Sequence, residues 1–344
     1  MMMHFTHCTS ARPDLKNRAA VAPLLIASLL TALLWAGEAL GKNDITRVGV
    51  LTFFDVDSEI WSGIWWETFG RTIKDQGWIE GETVSFDYRS AHNLSDNFAS
   101  GADALVKLEV DVIVAIGAPA LRAAYAATRT IPIVAVDFTN DPVSAGYAKS
   151  YAQPGGNVTG VFLDAPEFAG KWFELLLAMI PELERVSVLW DPAPGATHLH
   201  AVRGVAESES IELQVLKVHK PNDIDKAFDA LGGQSHAVII LPSPMSYSES
   251  ARLATLALEH HMLATSMARE FAIAGGALSY GPDLVLAWKR IAVLVAKILS
   301  GSNPAKIPVE RPTRFQLVVN LKSAKALGIT VPQSVLLRAD EVIR

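Results

Sequence analysis

Cysteine is nearly absent, with Cys8 the only one in 344 residues. It precedes the N-terminal apolar run instead of ending it, so it is wrongly placed for lipid attachment. A chain processed after that run keeps no thiol, which excludes disulfides and cysteine-ligated metal sites. No excess of positive charge exists either. Lys and Arg number 30 against 36 Asp and Glu, for a net charge of −6, and no strongly basic run occurs. The electrostatic footprint of a nucleic-acid binder is therefore missing. Catalytic signatures are lacking too: there is no G-x-S-x-G elbow, G-x-x-x-x-G-K-[ST] loop or G-x-G-x-x-G fingerprint. His198-x-His200 and Glu259-His260-His261 lack the H-E-x-x-H spacing of a zinc site and read as solvated helix faces. No cofactor and no metal are expected.

A long apolar run occurs only near the start. Lys16 and Arg18 precede the segment Ala19–Trp35, and small residues follow at Ala36, Gly37, Ala39 and Gly41. A basic, then apolar, then small-residue order is that of a secretory signal over 1–41. The run is short of the ~20 residues that span a bilayer comfortably, so an uncleaved anchor is the secondary reading. Export without disulfides suits a bacterial periplasm.

Half of the residues are hydrophobic, enough for two ordinary domains. From Arg47 onward, β-branched runs alternate with amphipathic stretches. Strands are expected at 47–53, 83–88, 110–116 and 131–136. A second set follows at 186–190, 212–218, 237–241 and 263–267. The runs VDVIVAI and IPIVAV are apolar on both faces, as in a parallel sheet covered by helices. Helices are expected between them, among them 60–76, 95–108, 119–128, 168–179, 198–209, 247–260 and 283–299. Strand–helix alternation predicts an α/β chain with two doubly wound parallel-sheet lobes. Turn-rich stretches at 153–160, 274–282 and 301–312 are candidate hinge crossings, three in number. They divide the chain into 42–156 plus 283–344 as the first lobe and 157–282 as the second.

In open α/β sheets, ligands gather beyond the carboxyl ends of strands. Those positions supply the candidate ligand-binding residues: Phe54, Asp55, Ser58 and Trp61 after the first strand, then Gly117, Ala118 and Pro119 after the third. Asp137, Thr139 and Asp141 follow the fourth. In the second set they are Asp191, Ser243, Arg269 and Glu270, with Tyr280 at the next crossing. Glycine at 117 admits close approach, and the helix start at 117–120 favours an anionic group. Asp137 or Asp141 suits an ammonium group, although Asp before Pro also caps turns. Phe54, Trp61 and Tyr280 offer stacking surfaces, whereas Trp65 and Trp66 read as helix packing.

The segments IPIV (131–134), DPV (141–143), PGGNVTG (154–160), SYGP (279–282) and the tail from Pro312 to Leu337 are familiar together. From about Arg47 to the C-terminus the chain resembles the ABC-transporter substrate-binding proteins that include tryptophan/tyrosine-type uptake receptors. The resemblance implies a type I periplasmic-binding-protein fold that closes on a small-molecule solute, amino-acid-like, and delivers it to a membrane permease and ATPase. A monomer without catalytic residues is expected. The alternative is an extracytoplasmic sensor feeding a membrane receptor. The loop after strand one departs from the family pattern, with Phe53-Phe54-Asp55-Val56-Asp57 where small Ser/Gly residues are usual.

Overall fold

Continuous apolar runs become the central strands of two sheets. The computed structural model describes residues 45–54, 63–91, 97–163, 166–231 and 235–344. The expected export signal at 1–41, and Asp55, Ser58 and Trp61, lie outside those residues. Residues 45–344 belong to one compact unit.

The first sheet contains β1 (Thr46–Thr52), β2 (Val84–Ser90), β3 (Val112–Ile116), β4 (Ile133–Asp137) and β5 (Val158–Phe162), in the order β2-β1-β3-β4-β5. Every pairing in it is parallel. Helices α1 (Ile64–Asp75), α2 (Asn97–Lys107) and α3 (Ala118–Ala127) make its crossovers. β3, β4 and β5 are buried at every position, as expected for strands covered on both faces.

The second sheet contains β6 (Arg185–Trp190), β7 (Glu212–Lys217), β8 (Ala237–Ile240), β9 (Leu263–Ser266), β10 (Leu278–Pro282), β11 (Phe315–Asn320) and β12 (Glu341–Ile343). Its order is β12-β11-β10-β9-β8-β6-β7, parallel except for the β10–β11 pair. Its helices are α4 (Pro166–Met179), α5 (Thr197–Ser208), α6 (Asp223–Asp229), α7 (Pro244–Ser248), α8 (Ser250–Glu259) and α9 (Arg269–Ile273). The single helix expected at 247–260 is two, because the Ser243 capping box starts a short first helix. α10 (Leu284–Leu299) then packs against α1 and the first sheet, and α11 (Leu321–Ala326) and α12 (Gln333–Leu336) flank β12.

The lobe boundaries therefore need correction. Residues 158–162 belong to the first sheet, and the part of 283–344 that returns to the first lobe ends near Glu310. Glu310 bridges to Val161, while 315–320 and 341–343 extend the second sheet. The chain leaves the first sheet after Leu163, and it changes sheets again at Asp283 and at 311–314. The turn-rich runs at 153–160 and 274–282 lead into strands whose glycines are demanded by close packing. A Cβ on Gly160 would lie 2.1 Å from the Ala135 carbonyl oxygen, and one on Gly281 2.1 Å from that of Met267. Glycine there marks strand contact, not a bend.

Candidate interlobe cleft

Strand order reverses between β1 and β3 in the first sheet and between β6 and β8 in the second. At such switch points adjacent loops leave in opposite directions and open a crevice. The two crevices face one another across a cavity of about 560 Å³, part of it open to solvent. Phe54, Gly117, Asp137 and Thr139 reach it from the first lobe, and Ser243 and Tyr247 from the second.

Its walls are aromatic. Phe53 and Phe54 rings lie 4.0 Å apart, and Phe54 is 6.1 Å from Trp65. Trp65 meets Tyr247 of the opposite lobe edge-on at 6.1 Å, a favoured geometry for ring pairs. Trp288 of α10 completes the wall. The polar part centres on Asp137, which is 1% exposed. Its Oδ1 accepts from the Thr139 amide at 2.8 Å and from the Thr139 hydroxyl, and its Oδ2 accepts from Asn140 Nδ2 at 2.9 Å. Burial pushes the carboxyl above its ordinary range, opposed by these hydrogen bonds and by the Arg122 charge.

Ser243 caps α7, its hydroxyl accepting from the Ser246 amide at 3.0 Å and its amide donating to Ser246 Oγ at 2.8 Å. Tyr247 carries a buried hydroxyl without a partner. Burial, and then the Glu270 charge, hold its phenol well above the usual value. Among the described residues lining the cavity, none is Lys, Arg or His, and Asp137 is the one carboxylate.

Of the sequence-predicted residues, Phe54, Gly117, Ala118, Asp137, Thr139 and Ser243 come together here. Pro119 and Asp191 border an adjacent hollow with His219. Asp191 is pushed up by burial, against a hydrogen bond from the Ala193 amide. The rest stand elsewhere. Asp141 caps its own turn, accepting from the Val143 and Ser144 amides and from Tyr151 Oη. Arg269 makes a two-pronged pair with Glu341, at 2.7 and 3.0 Å. Glu270 does not line the cavity; burial raises its carboxyl and leaves Oε2 without a partner. Tyr280 stacks on Phe315 at 6.0 Å.

Trp65, read as helix packing, is a wall residue, and Tyr247, Met267 and Trp288 were not anticipated. Three of these four sit on helices, where spacing alone does not tell a cleft face from a core face. His198 also departs from its expected solvated position. It is 5% exposed, with Nε2 2.7 Å from the Phe138 carbonyl. The carbonyl accepts, so Nε2 carries the proton, while Nδ1 is buried without a partner. Among the described residues no cluster of three His, Cys, Asp or Glu could hold a metal ion.

Comparison with known proteins agrees with this architecture. A curated tyrosine-binding protein of Clostridioides difficile (strain R20291) is 25% identical over 266 residues, 76% of this chain and 75% of that protein. A conserved domain protein from Vibrio cholerae O1 biovar eltor superposes with a TM-score of 0.79 at 27% identity, covering 87% of this chain and all (100%) of that one. An ABC domain from Streptococcus pneumonia solved in complex with L-Trp gives 0.78 at 24% identity, covering 87% and 99%. The profile described as ABC transporter substrate binding protein matches residues 48–343, and the chain belongs to that family.

Proposed function

We propose that the chain is the extracytoplasmic, periplasmic receptor of an ABC importer. It takes a small organic solute into the interlobe cleft and hands it to a membrane permease coupled to an ATPase. The solute is amino-acid-like in pairing an ammonium group with an apolar body. The observation that carries this reading is one aromatic cavity walled from both lobes, so that an occupant stabilises the closed arrangement over the open one. The tyrosine-binding relative and the L-Trp-bound neighbour support an amino-acid-like solute. The N-terminal pattern of the sequence supports export, and no helix among the described residues is long and apolar enough to cross a membrane.

A thermal-shift screen of amino acids, amines, purines and small carboxylates on the purified protein tests capture. A true ligand at one hundred times its Kd adds about 2.7 kcal/mol to stability. Delivery is tested by uptake of that ligand in cells with and without the gene. A ligand that binds but whose uptake is unchanged would leave a sensor, not an importer component.

A further inference from the structure

Beside the cavity the two lobes meet along a seam. Residues 138–140, which follow β4 of the first sheet, lie against the start of α5 in the second lobe. Thr197 Oγ1 is 3.4 Å from Asn140 Oδ1, and Arg122 of α3 donates to the Ala193 and Pro194 carbonyls. His198 makes the buried contact among them, with Nε2 donating to the Phe138 carbonyl at 2.7 Å. Of these side chains, only the imidazole has an ordinary pKa between about 4 and 7.

A second proton on that ring is poorly accommodated. Nε2 already carries one, so the next enters at Nδ1, which is buried and without a partner. Trp172 and Phe168 of α4 flank the ring, with centres 6.1 and 6.5 Å away. Aromatic faces offset only part of the hydration that an imidazolium gives up. Among the described residues, the charged groups on the surrounding elements are engaged elsewhere. Asp137 takes Thr139 and Asn140, and Asp191, which opens onto the same small hollow as His198, takes the Ala193 amide. On α4, Lys171 pairs with Glu174, which also pairs with Arg338. On β7, Glu212 pairs with Arg185 and Lys217 lies over the Trp190 ring. His200, Arg203 and Glu207 of α5 itself are exposed. Burial, against the Phe138 hydrogen bond, holds the His198 pKa at about 4.

One side of the ring is covered by a residue of the other lobe, and opening removes that cover. When 138–140 draws back, Nε2 exchanges the Phe138 carbonyl for water, and the imidazole returns toward its ordinary value of 6.5. We propose that His198 is a proton-sensitive latch: its neutral ring holds the lobes closed on the solute, and its protonation in acidic surroundings opens them and releases the solute. The open arrangement binds a proton that the closed one excludes. Closure is therefore favoured above about pH 6.5 and penalised progressively as pH falls toward about 4. The inference rests on the receptor reading and adds a regulation to the same cleft.

The test is calorimetric titration of the wild-type and His198→Gln proteins with L-tryptophan and L-tyrosine at pH 7.5 and 5.5. Glutamine keeps an N–H donor for the Phe138 carbonyl and takes up no proton. Full transfer of the imidazole between its two values corresponds to about a tenfold loss of affinity at pH 5.5. The expected result is a loss in the wild type about threefold or more larger than in the variant. Equal losses overturn the latch, assign the pH dependence to carboxyls such as Asp137 and Asp191, and leave the receptor reading intact. If neither amino acid binds, or the variant fails to fold, NMR titration of the His198 imidazole in the ligand-free wild type decides. A pKa above about 5 is expected of a ring that opening solvates, and one near 4 overturns the latch. A protein that binds no solute in the wider thermal screen overturns the receptor reading, and the NMR result alone then bears on the lobe contact.

Discussion

Two single residues show how backbone approach and burial set the terms for this chain. Gly160 has φ 146° and sits directly opposite Ala135 in the β4–β5 pairing. A methyl group there meets backbone, which cannot rotate away. Gly160→Ala should cost about 3 kcal/mol or more, since strain and overpacking each contribute about 1–3; urea melts measure it. His198 is governed by burial instead. Desolvation lowers its pKa from 6.5 to about 4, against the Phe138 hydrogen bond. The unfolded chain therefore binds more protons than the native one between those values, and stability declines as pH falls from about 6.5 to 4. That loss reaches about 3 kcal/mol at most. His198→Gln should flatten the decline in melts at pH 7, 5.5 and 4.5, and an unchanged slope would assign it to carboxylates. At this scale the sequence exposed the loop residues, because strand ends are legible and their successors follow by counting. It concealed His198 and Trp65, whose roles depend on a facing element far away in the chain.

Among the elements, α10 connects legibility with hinge mechanics. Its span was read almost to the residue, because its apolar spacing is long and Asp283 supplies a cap. The Asp283 carboxylate accepts from the Leu286 amide at 3.0 Å, and the Asp283 amide donates to the Arg314 carbonyl at 2.9 Å. The cap thus lies where two of the crossings run side by side. Asp283→Ala should cost about 1 kcal/mol and lower Tm by about 2 °C, with Asp283→Asn restoring most of it. Equal losses in both variants would point to the Arg314 ion pair instead. β5, β10, β11 and β12 were harder to read. Glycine and proline at 154–160 and 279–282 mimic a loop. β11 and β12 are recruited to the second sheet by long-range pairing, with β11 antiparallel to β10, which no local period encodes.

On the scale of the whole molecule, the α/β class and the number of crossings were legible, but the crossings' positions and the contacts that hold the lobes together were not. They join side chains to carbonyl oxygens far away in the chain, most of them on the backbone. Arg122 of α3 reaches across to the Ala193 and Pro194 carbonyls, at 2.5 and 3.3 Å. Thr197 Oγ1 meets Asn140 Oδ1 at 3.4 Å, and His198 takes the Phe138 carbonyl. Pro194 itself lines the cavity, so the Arg122 fork fastens a wall of the cleft without being part of it. A contact formed only on closure slows release more than it speeds capture. Removing the guanidinium outright would also remove a charge that acts on Asp137, so Arg122→Lys is the informative variant. It keeps the cation and loses the planar two-carbonyl fork. Because Arg122 is exposed, the fork should contribute only about 1 kcal/mol, well under a buried charged hydrogen bond. Ligand dissociation should therefore be about fivefold faster with the association rate unchanged, as measured by stopped-flow tryptophan fluorescence. An unaltered off-rate would mean that the lobes are held by the ligand and the hinge alone.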